Sequence, residues 1–305
     1  MFTKATTDTE RNCEWVSSRG IAQSCDVYPD PLISDEKSIN IDAYRQIKHG
    51  DTVYVVSKSL KKFTENILPN LEQKQIQITL VTGASVRGVP HEITNQHGID
   101  YNELLAKSRS IQRWFSQNLD AIQTSDIKPI PLGLDYHTLR KKSYWWGTQT
   151  SPTEQEKELL AIKNSALPFV QRKNRTYSFF HFNMFDRHDN DRQHAIDHLN
   201  QCTFNDYAPS RMVRSRTWKI CSQYRYIVSP HGNGLDCHRT YEAIALGCIP
   251  IVRSSSLDVI YEELPVLILE KWSDLSQELL DASWKELLAK PLDALNLSYW
   301  TDHIK

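Results

Sequence analysis

At 305 residues, 40% hydrophobic and 24% charged, the chain has globular composition and enough length for two domains of roughly 100–200 residues each. Lys+Arg total 36 against Asp+Glu 37, a net charge of −1. That balance excludes a general affinity for nucleic acid or an anionic membrane, which draws on clustered surplus positive charge.

No apolar run approaches the ~20 residues of a membrane span. The stretch from Met1 to Glu10 lacks the apolar segment of a signal peptide, so a soluble cytoplasmic protein is expected. The six cysteines, Cys13, Cys25, Cys202, Cys221, Cys237 and Cys248, form no CxxC pair and read as free thiols of a reducing compartment.

From about residue 12, short β-rich runs alternate with helical stretches. Strands are predicted at 14–17, 52–57, 76–82, 111–115 and 127–132, and helices at 59–68 and 101–107. Leu60, Phe63 and Ile67 fall at helical spacing, and Pro69 should stop that helix. Alternating strands and helices with near-continuous apolar strands indicate a parallel α/β sheet. An irregular stretch over 141–150 then leads into Ser151-Pro152-Thr153-Glu154, a capping box with Pro at the first helical position. The domain boundary is therefore set near 150, giving domains 1–150 and 151–290.

The alternation restarts with strands at 177–182, 226–229, 249–252 and 266–269. Helices are expected at 192–200, 215–223, 237–246, 257–263 and 273–289. Leu297, Tyr299, Trp300 and Ile304 make the tail apolar, so 291–305 should pack back on the first domain. The outline is two Rossmann-like α/β domains in tandem.

The sharpest motif is 226–252, which reads strand, Gly-rich turn, helix, Gly stop, strand. Gly232 and Gly234 allow backbone geometry and close approach that a Cβ would block. The helix opening near Asp236 offers unpaired N–H groups to a phosphate. The third glycine of the dinucleotide fingerprint is missing at Cys237. At 100° per residue, Asp236, Arg239 and Glu242 share one helix face, with Tyr241, Ile244 and Ala245 turned away. Arg239 would neutralise a diphosphate and Glu242 would accept ribose hydroxyls. The bland alternative is an Arg–Glu pair on a solvated face, worth a few tenths of a kcal/mol.

This segment resembles the donor-binding signature of exostosin-like (family 47-type) glycosyltransferases, with a Pro-x-Gly turn, Arg-x-x-Glu and a Gly-Cys-Ile-Pro strand start. The run from Arg175 to Met184 with Arg187 and Arg192, the runs Ile111–Asn118 and Ile130–Asp135, and Ser17–Asp26 are similar to other stretches of the family, the last to its soluble viral and microbial members. The resemblance implies a GT-B fold, with the acceptor domain first, the donor domain second and a cleft between them. It implies inverting transfer of a sugar from a UDP-sugar to a hydroxyl of a glycan acceptor, with no metal or other cofactor. A pentose such as xylose is the preferred sugar. Animal and plant members usually carry a Golgi anchor, which is not expected here, and the turn from Gly83 to Pro90 lacks the family's usual acidic residue.

The donor-binding residues implied are Asn183, Arg187, Arg192, Ser229, Pro230, His231, Gly232, Asn233, Gly234, Asp236, Arg239 and Glu242. Arg19, His91 and Asp135 would bind the acceptor. Ligands bind at the C-terminal ends of parallel strands, so the base is sought on loops of the first domain. Asp26 is the choice, with Asp135 and His91 as rivals. Two alternatives stay open. One is a non-catalytic nucleotide- or carbohydrate-binding protein on the same scaffold. The other is a Mn²⁺-dependent GT-A transferase using Asp189 and Asp191 of a D-x-D string, although acidic residues in a helix's first turn are ordinary. His231, Cys237 and His238 are zinc-ligand types at a spacing that fits no common structural site. Trp145 and Trp146 could cover the cleft, while Trp272 reads as core.

Overall fold

The computed structural model describes residues 8–121, 126–180 and 187–305. The apolar run Thr52-Val53-Tyr54-Val55-Val56 forms strand β1 (Thr52–Val56), buried along its whole length. Burial on both faces is what a parallel sheet requires. β2 (Ile78–Gly83), β3 (Ile111–Ser116) and β4 (Ile127–Pro129) complete a parallel sheet in the order β1-β2-β3-β4.

The helices of this half are α1 (Ser18–Ser24), α2 (Leu60–Asn66), α3 (Leu68–Gln73), α4 (His91–His97), α5 (Tyr101–Lys107) and α6 (His137–Lys141). Pro69 does not end a helix. It stands in the first turn of α3, where its missing N–H has no intrahelical partner to lose. Residues 14–17 form single bridges rather than a strand: Trp15 meets Asn296, and Ser17 meets Gly133 and Leu134. Ser17 instead caps α1, its hydroxyl accepting from Gly20 N.

Ser151 opens α7 (Pro152–Ser165) through a complete capping box with Glu154. Beyond it lie β5 (Lys173–Ser178), β6 (Asn205–Tyr207), β7 (Tyr224–Val228), β8 (Ile249–Arg253) and β9 (Leu267–Leu269), parallel in the order β6-β5-β7-β8-β9. The edge strand β6 has three half-buried residues, too short to show a period. Their helices are α8 (Asp191–Leu199), α9 (Arg214–Cys221), α10 (His238–Ala245), α11 (Asp258–Tyr261) and α12 (Gln277–Leu288).

The last helix, α13 (Leu297–Ile304), buries Leu297, Trp300 and Ile304. Its segment is tied to the first half: Leu297 N donates to Glu14 O, Val16 N to Leu295 O, and Arg113 Nη2 to Ile304 O. One apolar cluster runs from Val53 and Trp114 of the first half to Trp218 and Tyr241 of the second. A smaller one under β7 and β8 contains Tyr226, Ile249, Trp272 and Leu280. Helix α7 joins the halves, with Glu156 accepting from Glu14 N and Trp15 N. The fold is α/β, two Rossmann-like units facing a cleft, the arrangement that the name GT-B describes. All six cysteines are free. Among the described residues no helix is long and apolar enough to cross a membrane.

Candidate active site in the cleft

The chain leaves β2 through Ala84, Ser85 and Val86, β3 through Asn118, and β4 through Leu132. It leaves β7 through the turn Gly232-Asn233-Gly234. These segments line a cavity of about 360 Å³ between the halves. A second cavity of about 590 Å³ adjoins it, walled by Trp145, Trp146, Phe179, Phe180, Arg214 and Glu242. His238 and Arg239, the first two residues of α10, line both. Strand C-termini and a helix start thus converge on one place, as open parallel sheets dictate.

The turn leaves little room beside its two glycines, least at Gly234, whose neighbour is held in place. A Cβ on Gly232 would stand 2.9 Å from Arg192 Nη2 and 3.1 Å from Cys237 Sγ; on Gly234 it would stand 2.8 Å from Asn118 Oδ1. Asn118 uses that oxygen to accept from Asp236 N and its amide to donate to Ser85 O. The turn is therefore pressed against the first half.

Asp236 lines the smaller cavity, but both its carboxylate oxygens are taken up within the protein. Its Oδ2 accepts from Leu132 N and Tyr241 Oη, and its Oδ1 from Tyr261 Oη and Cys237 N. Burial raises its pKa, opposed by those four donors. Tyr241, expected to turn away, reaches it because Asp236 precedes α10, so the single helix face drawn through Asp236, Arg239 and Glu242 does not exist. Arg239 donates from Nη2 to Pro230 O at 2.9 Å and lies 5.8 and 5.7 Å over the rings of Phe179 and Phe180. No described residue bonds its buried Nε.

Glu242 Oε1 accepts from Arg214 Nη2 at 3.1 Å. No described residue bonds its other oxygen, which belongs to the wall of the larger cavity. Arg214 is a hub across the cleft: it also donates to Asp135 O and Gln155 Oε1 and lies 4.4 Å over Trp146.

Asp135, on the loop after β4, is buried beside Arg214 and accepts from Thr138 N. Burial opposes its ionisation, but His137, His238 and Arg214 hold its pKa well below the usual carboxylate value. His137 Nδ1 lies 3.0 Å from Asp135 Oδ1. Burial takes this imidazole down to about 4. His238 Nδ1 lies 2.6 Å from Gly133 O. The two rings are 5.9 Å apart, one from each half.

Several expected residues lie elsewhere. Asp26 sits at the opposite end of the sheet, where its Oδ2 accepts from Thr52 N and Thr52 Oγ1 at the start of β1. It lines neither cleft cavity, so the choice of Asp26 as base is corrected. Residues 14–17 are not a strand ending beneath Asp26, and that misreading put it at the wrong end. His91 is exposed on the first turn of α4 and also lies outside both cavities. Arg19 is buried, donating to Ser34 Oγ, with Nε and Nη1 unpartnered among the described residues.

Arg187 crosses to the first half and pairs with Glu92 at 2.7 Å and with Val86 O. Ser229, Pro230 and His231 build the turn from beneath: Ser229 pairs with Thr240, His231 N donates to Asp191, and none lines either cleft cavity. Arg192 does line the smaller cavity and donates from Nε to His231 O. Asn183 lies outside the described residues.

The D-x-D pair does not fit a metal. Arg253 binds Asp189 and Asp191 at 3.0 Å each, and Trp272 Nε1 and His231 N occupy the buried Asp191. A guanidinium already stands where a cation would. This removes the GT-A alternative at those residues.

Asp35 and His137 line the smaller cavity and were missed by sequence reading. His137 had one available signal, a histidine two residues after an aspartate at the exit of a parallel strand. Asp35 had none.

No protein-family model matches the chain, and no curated protein matches it. Among solved structures, the crystal structure of an α1,3-fucosyltransferase is similar at a TM-score of 0.39 and 13% identity, over 86% of each chain. So distant a likeness bears on neither activity nor substrate.

Proposed function

We propose that the protein is an inverting glycosyltransferase that moves a sugar from a UDP-sugar to a hydroxyl of a glycan acceptor without a metal. The observation that carries this reading is the pair of adjoining cavities meeting at Arg239 and His238, between two parallel α/β halves. The larger takes the nucleoside, with the base on its aromatic wall and the ribose hydroxyls on the unbonded oxygen of Glu242. Arg239 and Arg192 meet the diphosphate, assisted by the start of α10. The smaller cavity holds the transferred sugar and the acceptor, where Asp35, Ser34 and Ser85 offer groups for hydroxyls. Arginines rather than a divalent cation then stabilise the charge that develops on the leaving UDP. The kinship to soluble exostosin-like enzymes and a pentose donor are parts of the same proposal, resting on the 226–252 motif.

The test is UDP release from a panel of UDP-sugars with glycan acceptors, in EDTA, beside calorimetric titration with UDP. Arg239→Ala should weaken UDP about 10- to 100-fold, the worth of one or two charge-assisted hydrogen bonds. Tight UDP binding with no turnover of any donor would leave a nucleotide-binding protein, and loss of activity in EDTA would overturn metal independence.

A further inference from the structure

We propose that His137 is the general base of the transfer and that Asp135 positions it, an inference that rests on the glycosyl-transfer reading. The base must stand on the acceptor side of the cleft with an unshared electron pair open to the cavity. Among the described residues, the carboxylates lining the smaller cavity are Asp35 and Asp236. Asp236 is saturated by its four donors. Asp35 has Oδ1 held by Lys58 Nζ at 3.0 Å and Ser85 Oγ at 2.7 Å, an arrangement that stabilises the ionised form and makes it a poor proton acceptor.

His137 is placed differently. Asp135 Oδ1 stands 3.0 Å from its Nδ1, off the line of a hydrogen bond; a carboxylate that close repels a bare nitrogen lone pair, so it favours the proton on Nδ1 and leaves the Nε2 pair bare. No described residue is bonded to Nε2. Burial keeps the ring neutral at neutral pH, and the titratable and charged groups facing it are Asp135, Arg19, Lys141 and His238. His238 also carries a bare Nε2, because Gly133 O can only accept from its Nδ1. It belongs to the donor half beside Arg239 and lines both cavities, however, whereas His137 comes from the acceptor half and of the two lines the smaller alone.

The step balances as follows. The acceptor oxygen forms its bond to the anomeric carbon from the face opposite the diphosphate. The anomeric C–O bond breaks, and its electron pair leaves on UDP. The acceptor's hydroxyl proton passes to His137 Nε2, where Asp135 offsets the imidazolium charge until the proton is lost to water. Asp135 thus acts through His137, in the manner of a base oriented by a third group.

His137→Ala should lower kcat about 10²- to 10⁴-fold while UDP affinity by calorimetry stays within threefold, and added imidazole should restore part of the rate. In the H137A background, Asp135→Asn should cost no further rate, whereas a merely structural Asp135 would add its own loss. H137A turnover within tenfold of wild type overturns this inference alone, as does an additive effect of D135N. A wild-type protein that turns over no donor overturns the reading beneath it.

Discussion

Replacing Asp236 by Asn separates a carboxylate that holds the halves together from one that binds donor. The native carboxylate is 3% exposed and accepts four hydrogen bonds of 2.6–2.8 Å. Each oxygen faces one backbone N–H and one tyrosine hydroxyl. Whichever way an asparagine amide is turned, its NH₂ meets a backbone N–H, of Leu132 or of Cys237. A tyrosine hydroxyl can rotate to accept, but an N–H cannot. One buried donor is left unsatisfied, at about 1–3 kcal/mol, and charge assistance is lost from the remaining bonds, each worth about 1.5–3 kcal/mol when ionic against about 1 when neutral. Relief of the buried charge offsets part of this, leaving a net loss of about 2–4 kcal/mol. For a unit of 150–250 residues, where 1 kcal/mol moves Tm by about 2–4 °C, the expected fall is roughly 5–15 °C. Thermal unfolding followed by circular dichroism reads it, with UDP titration on the same samples. A Tm within ~2 °C of wild type, or unchanged stability with a tenfold loss of UDP affinity, would refute the reasoning and return Asp236 to the donor site.

Gly234→Ala should cost about 1–3 kcal/mol by overpacking against Asn118, whose amide cannot retreat without losing Asp236 N and Ser85 O; an unchanged urea midpoint would count against it. Glu10 is fully buried, and burial raises its carboxyl to about 8. Its folded-state value therefore lies above the unfolded one, so its contribution is complete below about pH 4.5 and is lost as pH rises through 8. Glu10→Gln should accordingly stabilise the protein relative to wild type increasingly from pH 5 to 9, and parallel Tm–pH curves would show that Glu10 is not the source.

Local chemistry made much of the fold legible. The buried runs of β1 and β8, the capping box at Ser151 and the 226–252 unit each carry their signal within a few residues, because propensity, capping and apolar periodicity are short-range effects. Residues 14–17 misled because their bridging partners, Asn296 and Gly133, lie far along the chain. β6 gave no signal because three half-buried residues alternate too briefly to show a period.

The candidate site was legible only on one side. The turn, Arg239 and Glu242 announce themselves because a glycine-rich strand-to-helix junction is a contiguous device for seating phosphate. The opposite wall is assembled from loops after β2, β3 and β4, so Asp35, Asn118 and His137 share no spacing that a linear pattern could detect.

By itself, the sequence determined two parallel α/β halves, the place of the helix opening at residue 151 and the glycine turn that meets the cleft. Each of these follows from neighbours within one turn or one strand. Only the tertiary structure decided that Asp26 lies at the far end of the sheet, that Asp236 and Arg187 tie the halves together, that Arg253 takes both acids of the D-x-D string, and that His137 comes to face His238. Those outcomes depend on which loops the packing of two sheets brings within a few ångströms, and distance along the chain carries no record of that.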